Sequence, residues 1–388
     1  MSSVPPLRFP GFTDEWKECT IRDIAKIEKG NGISKDQLSE EGDECILYGE
    51  LYTKYKSEII DEVYSKTKVD STKLMRSQAN DVLIPCSGET AEDIATARCV
   101  KMEGILLGGD LNIMRFDKQD GAFMSYQLNG KRKYDIARIA QGVSVVHLYP
   151  EHLKSIRVVL PELEEQQKIV NLLSLIDERI ATQNKIIEDL KKLKSAIIDC
   201  HFNGRKANNR LGDLIHEVSN RNKRNTDLPV LSVSNRQGFI AQSEQFENRI
   251  IASDDTSNYK IVIKNDFAYN PARINVGSIA RLVNYESGIV SPMYICFRCS
   301  DEILPEYLEL FFQSRYFQLE VEKRLEGSVR LCLSMDGIKS IQFSFFPIYE
   351  QKALTEKLKT IQSKLDNEET MNLLYQAQRK YLLTKLFI

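Results

Sequence analysis

The chain carries the same pattern twice, at a separation of 185 residues. Asp81 falls on Asp266, and Gly142 falls on Gly327. Further identical matches include Leu148 with Leu333, Lys154-Ser155-Ile156 with Lys339-Ser340-Ile341, and Phe202 with Phe387. Because an internal repeat decides the architecture before any local pattern does, the sequence predicts two similar modules in one chain.

Each copy begins with a segment of mixed character. Short apolar runs rich in strand-forming residues occupy residues 45–52, 81–86, 104–116 and 155–161 in the first copy, and 266–270, 288–297 and 340–347 in the second. One helical stretch interrupts each set, near 122–140 and 305–325. This pattern predicts an α+β domain with a twisted or barrel-like sheet and packed helices.

Each copy ends in a long helix that opens at a proline, Pro161 or Pro347. Apolar residues then recur by steps of four and three, which is coiled-coil spacing. The predicted seam of the first helix is Ile169, Leu173, Ile176, Ile180, Ile187, Leu190 and Ile197; that of the second is Leu354, Leu358, Ile361, Leu365, Tyr375, Leu382 and Leu386. Polar interruptions also recur, as Gln183 with Glu368 and Lys194 with Arg379. Two alternatives are ordinary amphipathic helices that each pack on their own domain, and helices that pair between chains.

Pairing within one chain requires the two helices to run antiparallel. We expect globular segments at 1–160 and 205–346 and helices at 161–204 and 347–388, arranged about a pseudo-twofold axis. The seam from Leu354 to Leu386 covers 33 residues and so spans roughly 50 Å at 1.5 Å per residue. That is about one to one and a half turns of duplex DNA, so a two-part DNA target is a natural fit.

Composition limits what the chain can bind. The net charge is −2, from 53 basic and 55 acidic residues, so nucleic-acid binding depends on local clusters or on basic partners. No apolar run is long enough to span a bilayer, and the first residues lack a secretory pattern. We therefore expect a cytoplasmic protein with no membrane partner.

Polar and basic clusters on turn-forming segments are the candidate DNA contacts. In the first copy they are Lys29, Asn31, Lys54, Lys56, Ser87, Glu89, Thr90, Lys131, Arg132 and Lys133. In the second copy they are Arg221, Lys223, Arg224, Asn235, Arg236, Asn270, Arg273 and Asn275. The segments that follow Asp81 and Asp266 are the stronger candidates, because they occupy equivalent positions yet differ in sequence, as two different half-sites would require.

Motifs for chemistry are missing. The sequence contains neither a GxxxxGK[ST] phosphate loop nor a GxGxxG motif after a strand. The four histidines form no metal set, and Cys296 and Cys299 are a lone CxxC pair. We expect no catalytic residue, no metal and no cofactor in this chain.

The chain resembles the specificity subunits of type I restriction-modification enzymes. The resemblance rests on RFPGFTDEW at 8–16, on the two PxxE-type helix starts, and on Asn270-Pro271-Ala272-Arg273-Ile274 with Gly277-Ser278-Ile279. It implies that two target-recognition domains each read half of a bipartite double-stranded DNA site, while the helices set the spacer. It further implies two methyltransferase subunits that use S-adenosylmethionine to methylate adenine N6, and two restriction subunits that use ATP and Mg²⁺ for cleavage. The second helix departs from the family pattern by beginning PIYEQK.

Two other classes of protein compete with this interpretation. One is a non-enzymatic coiled-coil adaptor whose two heads bind proteins. The other is an enzyme in its own right, which the missing cofactor motifs disfavour.

Overall fold

The computed structural model describes residues 4–70, 72–203, 209–235, 237–242, 255–328, 330–344 and 346–388. The chain forms two compact units: unit 1 is Met1–Asn184 with Thr370–Ile388, and unit 2 is Lys185–Glu369. Each unit therefore combines one mixed module with a segment of both long helices. The predicted α+β class with two tandem modules and two long helices is confirmed.

Unit 1 contains thirteen strands in its described residues. They are β1 Lys17–Thr20, β2 Ala25–Lys29, β3 Leu38–Ser39, β4 Asp43–Ile46, β5 Ile59–Ile60, β6 Ser65–Thr67, β7 Val82–Pro85, β8 Ser87–Gly88, β9 Arg98–Val100, β10 Leu106–Leu107, β11 Leu111–Phe116, β12 Val146–His147 and β13 Arg157–Leu160. The main sheets have the orders β2-β11-β7-β9-β5 and β10-β4-β6-β3. Its helices are α1 Ile21–Ile24, α2 Glu50–Thr53, α3 Ala91–Ile94, α4 Gly121–Asn129, α5 Lys133–Ile139, α6 Pro150–Leu153 and the first part of α7 Leu163–Phe202.

Unit 2 repeats this plan with fewer strands in its described residues. They are β14 Asn209–Arg210, β15 Ile215–Glu217, β16 Val230–Ser234, β17 Gly238–Ala241, β18 Lys260–Ile263, β19 Phe267–Tyr269, β20 Ile279–Arg281, β21 Ser287–Val290, β22 Ile295–Cys299 and β23 Gln342–Phe343. The main sheets have the orders β15-β22-β19-β20 and β17-β16-β21-β18. Its helices are α8 Pro305–Phe312, α9 Arg315–Glu322, α10 Met335–Lys339 and the first part of α11 Ile348–Lys385.

The long helices run antiparallel within each unit. In unit 1, Arg179 Nε donates to Tyr375 Oη over 3.2 Å, and Asn372 donates to Asn184 over 2.9 Å. In unit 2, Lys191 pairs with Glu369 at 2.7 Å, and Lys194 donates to Gln362 over 2.8 Å. In both units the residue number of the partner in α11 falls as the residue number in α7 rises, as antiparallel pairing requires.

All fourteen predicted apolar seam residues are buried or half-buried. The buried ones are Ile169, Leu173, Ile187, Leu354, Leu358, Leu365, Leu382 and Leu386. The half-buried ones are Ile176, Ile180, Leu190, Ile197, Ile361 and Tyr375. The polar interruption Arg379 lies between Asp177 and Glu58, so it ties the end of α11 to α7 and to the module of unit 1.

Each long helix joins the core of the module beside it. In unit 1, Leu173, Leu382 and Phe387 belong to the same apolar cluster as Phe123 and Trp16, the only tryptophan. In unit 2, Ile198, Phe202 and Leu354 pack with Phe267 and Tyr307. The modules are thus stabilised by burial of side chains from both helices, because apolar area removed from water is the main favourable term in folding.

A buried glutamine fixes the start of each long helix. The Gln166 amide donates to Pro161 O over 2.9 Å and accepts from the Asp120 N–H over 3.0 Å. The Gln351 amide donates to Phe346 O over 2.8 Å and accepts from the Leu304 N–H over 2.8 Å. Since Asp120 and Leu304 directly precede α4 and α8, each glutamine joins two helix starts.

Candidate nucleic-acid interface

The repeat anchors Asp81 and Asp266 hold the same buried turn in both units. The Asp81 carboxylate accepts from the Gln78 N–H over 2.8 Å, and the Asp266 carboxylate accepts from the Ile263 N–H over 2.9 Å. Arg115 donates to Asp81 over 3.3 Å, and Arg298 donates to Asp266 over 2.6 Å. Burial raises the pKa of Asp81 above its usual value, against the opposing effect of these hydrogen bonds. The turn places β7 and β19 equivalently, so the loops after them also correspond.

In unit 1, several loops converge where β2 and β7 end and β11 begins. Lys29 in β2 lies opposite Asn112 in β11, and Pro85 in β7 lies opposite Leu111. Main-chain hydrogen bonds join the loops directly, from Cys86 to Asp110 over 2.7 Å and from Gly109 to Gly32 over 2.7 Å. We call residues 29–32, 47–53, 86–90 and 108–110 loop end 1.

In unit 2, the equivalent sheet end is built in the same way. Tyr269, the last residue of β19, lies opposite Ile279 and Ile295, the first residues of β20 and β22. The loop 291–294 connects β21 in one sheet to β22 in the other, so both sheets end at this place. The β16–β17 turn contacts the loop after β19 at this sheet end, because Asn235 Nδ2 donates to Val276 O over 3.3 Å. We call residues 221–226, 234, 235, 237, 258–260, 270–278 and 291–294 loop end 2.

Five predicted DNA contacts of the first copy lie at loop end 1. Lys29 and Glu89 are exposed. The others are engaged by the protein: the Asn31 amide binds the main chain at Lys73 and Met75, Ser87 donates to Asp110 over 3.2 Å, and Thr90 caps α3. Their DNA contacts stay predictions; Asn31 and Thr90 are exposed as well.

The remaining predicted residues of the first copy lie away from the centre of loop end 1. Lys54 pairs with the buried Glu50 at 2.6 Å and also donates to Ser65 over 2.8 Å. Lys56 and Lys133 line a cavity of about 450 Å³ beside α7 and α11. Lys131 lines a neighbouring groove, and Arg132 donates to the Ile388 carbonyl oxygen over 3.3 Å. The structure therefore places 131–133 against the C-terminal helix and does not bring them to the loops.

The described predicted residues of the second copy all lie at loop end 2. Arg221 forms a bridge with Lys260 and donates to Asn258 over 3.0 Å. The exposed side chains are Arg221, Lys223, Arg224, Asn235, Arg273 and Asn275. Asn270 is buried, and its side-chain oxygen accepts from the Ala272 N–H over 3.1 Å. Arg236 lies outside the described residues.

Two further side chains lie at the loop ends, of which the sequence did not single out Met293. Met293 is 57% exposed at loop end 2. Tyr52 lies at loop end 1, where burial, followed by the charges of Tyr48, Asp93 and Glu89, raises the pKa of its phenol. The apolar runs 104–116 and 288–297 are each broken by a loop, at 108–110 and 291–294. The sequence could have predicted these two loops from Gly108-Gly109-Asp110 and Ser291-Pro292, because such residues favour turns.

Within the described part of the chain, no group of three or more histidine, cysteine, aspartate or glutamate side chains is placed to hold a metal ion. No helix in the described ranges is long and apolar enough to cross a membrane.

Comparison with known proteins agrees with this architecture. Residues 13–192 match the family model of the type I restriction modification DNA specificity domain. Among curated relatives, the type I restriction enzyme MjaVIII specificity subunit of Methanocaldococcus jannaschii is 24% identical, over 93% of this chain and 88% of its own length. The putative type I restriction enzyme MjaX specificity subunit of the same organism is 22% identical, over 90% of this chain and 87% of its own.

Two solved structures share the fold. The S subunit of a type I restriction-modification system from M. genitalium aligns with a TM-score of 0.63 and 16% identity, over 99% of both chains. A chain from a structure that concerns assembly and conformational transition of the type I R-M system aligns with a TM-score of 0.56 and 14% identity, over 98% of this chain and 99% of that one.

Fold and loop ends define a two-module α+β protein with paired long helices and matched polar loops. Along most of its length the chain is similar to specificity subunits of type I restriction-modification systems, by the family model over residues 13–192 and by the two curated relatives at 24% and 22% identity.

Proposed function

We propose that this chain reads a bipartite site in double-stranded DNA, with one loop end for each half-site. The observation that carries the proposal is that loop ends 1 and 2 share one main-chain frame, anchored by Asp81 and Asp266, yet present different side chains. A shared frame gives both units one docking geometry, while divergent side chains give each unit its own sequence preference.

The side chains at each loop end have suitable chemistry for base reading. Arg273 and Asn275 offer donors of the kind that bind guanine and adenine edges in the major groove. Glu89 at loop end 1 offers an acceptor for the cytosine amino group. Lys223, Arg224 and Lys29 are exposed cations suited to phosphate contacts, which supply affinity without sequence information.

The helices have two further proposed roles. The antiparallel pair sets the number of unread base pairs between the half-sites. Two methyltransferase subunits dock around the helices, whose exposed apolar residues include Leu175, Leu193, Leu373 and Leu374. Such residues suit a surface that a partner covers.

The catalytic steps belong to partner subunits in this proposal. The methyltransferases use S-adenosylmethionine to methylate adenine N6, and restriction subunits use ATP and Mg²⁺ to cleave DNA. The chain itself contributes binding and spacing but no reacting group.

The experiment begins with methylome sequencing of cells that express this chain with its methyltransferase. Methylation at a single bipartite motif is the expected result. The reconstituted complex then binds a duplex carrying that motif more tightly than duplexes with either half scrambled, and binding weakens as salt rises. Equal affinity for all three duplexes contradicts DNA reading and favours a protein-binding adaptor.

A further inference from the structure

Each loop end carries a small hairpin that the proposed function has not used. In unit 1, Gln141 and His147 exchange main-chain hydrogen bonds of 2.9 and 2.7 Å; in unit 2, Glu326 and Cys332 do so at 2.9 and 2.8 Å. We call residues 141–147 hairpin 1 and residues 326–332, of which residue 329 lies outside the described part, hairpin 2. They stand 185 residues apart, at the repeat spacing.

A glycine in the same conformation begins both hairpins. Gly142 has a φ of 127° and Gly327 a φ of 126°, which L side chains rarely adopt. A Cβ at these positions would lie 2.0 Å from Val145 O and 2.3 Å from Arg330 O. Both units therefore keep the same tight hairpin by the same residue.

Main-chain contacts hold the hairpins against the loop ends. In hairpin 1, Val146 and His147 pair with Gly88 and Ser87, and the following Leu148 N–H donates to Cys86 O over 2.8 Å. After hairpin 2, the Leu333 N–H donates to Pro271 O over 3.0 Å. Each hairpin thus stands beside the loop that follows β7 or β19.

The exposed side chains of the two hairpins differ, although their main-chain hydrogen bonds are the same. Val143 is 97% exposed, and Val145 is 52% exposed. At the tip of hairpin 2, Ser328 and Arg330 are exposed, and Leu331 is 52% exposed. An apolar side chain that is almost wholly in water contributes almost nothing to the core of its own unit and is available for contact with another molecule.

We propose that hairpins 1 and 2 are a second DNA-contacting element of each loop end, with Val143 and Arg330 as the contacting side chains. The inference rests on the proposed DNA reading. The Val143 methyl groups suit apolar contact in a groove, such as with a thymine methyl, and the Arg330 guanidinium suits phosphate or guanine. If both hairpins bound the same protein partner, we would expect similar side chains at both tips. Two different DNA half-sites instead require different side chains.

The test uses the complete complex with its methyltransferase and the duplex found by methylome sequencing. Val143→Asp places a carboxylate against DNA, so we expect binding to weaken by about tenfold or more. Val283→Asp is the matched control, because Val283 is also exposed and lies on the β20–β21 turn at the opposite end of its sheet. We expect the control to bind within about twofold of the unmodified complex and both variants to keep their thermal midpoints.

A crosslinking measurement answers the same question without a charge change. A photoreactive benzoylphenylalanine at position 143 crosslinks to the duplex, and the same group at position 283 does not. Crosslinks from 143 to the methyltransferase alone, or Val143→Asp binding like Val283→Asp, overturn the inference while leaving the proposed function intact. If the unmodified complex prefers no duplex, the proposed function fails, and the inference fails with it.

Discussion

Single residues show how one frame presents two chemistries. After β7 the loop offers the acceptor Glu89, and after β19 it offers the donors Arg273 and Asn275. The loop after β19 is held by its main chain, since the Arg273 N–H donates to Asn270 O and its carbonyl accepts from Val276 and Ser278. Changing the Arg273 side chain therefore leaves the loop conformation in place.

We expect Arg273→Ala to weaken binding of the complex to its site by about 1–3 kcal/mol, because a base-contacting arginine carries that much discrimination. Sequence preference relaxes in one half-site only, as measured by binding to duplexes with single base changes. Lys264→Ala is the control: Lys264 is an exposed cation in the β18–β19 turn, at the far end of the sheet, and pairs with the exposed Glu286. Equal losses for both variants would indicate a general charge effect rather than base contact.

Among the elements, the two long helices are fixed to their modules by equivalent buried groups. Gln166 and Gln351 each satisfy a main-chain acceptor before a long helix and a main-chain donor before α4 or α8. Buried amides matter because an unpaired buried polar group carries its full desolvation cost. The glutamines therefore set the direction in which each helix leaves its module.

Gln166→Leu is expected to lower the free energy of unfolding of unit 1 by about 1–3 kcal/mol, since it leaves the Asp120 N–H and Pro161 O without this partner. Gln167→Leu, at the exposed neighbouring position, is expected to change it by about 0.5 kcal/mol or less. Urea denaturation followed by Trp16 fluorescence measures this change, because the only tryptophan lies in the core of unit 1. Similar midpoints for the two variants would remove the argument for a fixed helix start.

At the scale of the whole molecule, the 185-residue repeat forms two units, and each unit contains a segment of both long helices. Antiparallel pairing occurs in the described contacts of each unit. The role of the pair as a ruler between half-sites stays a prediction, as do the segment boundaries at 160, 204 and 346.

Removal of residues 188–194 together with 362–368 tests the ruler. These segments face each other in unit 2, where Lys194 meets Gln362. Seven residues are about two helical turns, or about 10.5 Å, so the seam keeps its phase while the pair shortens. Methylome sequencing should show the same half-sites with a spacer about three base pairs shorter, given about 3.4 Å per base pair. An unchanged spacer excludes the ruler.

Exchange of residues 205–346 for the matching segment of a relative with a different target tests the division into half-sites. One half of the methylated motif should change and the other should not, because loop end 1 is untouched. A change in both halves would show that the units do not read independently.

The sequence predicted what depends on periodicity and repetition. The short apolar runs, the heptad spacing and the 185-residue match were sufficient for the α+β modules and the paired helices, while the role of the segments after Asp81 and Asp266 stays a prediction. It did not predict which loops share a sheet end, because strand register is set by contacts between distant residues. The positive charge of Lys131 and Lys133 was the reason to predict them as DNA contacts. In the structure they lie in the α4–α5 region beside α11, away from loop end 1.

The turns at Asp81 and Asp266 have a consequence for how new targets arise. Their stability comes from buried carboxylates and main-chain groups and does not depend on the exposed side chains of the loop ends. Exposed positions such as Glu89 and Arg273 can therefore mutate at almost no cost to folding. If the loop ends read DNA as proposed, a lineage can therefore explore new recognition sequences by point mutation, one half-site at a time, while its descendants continue to fold.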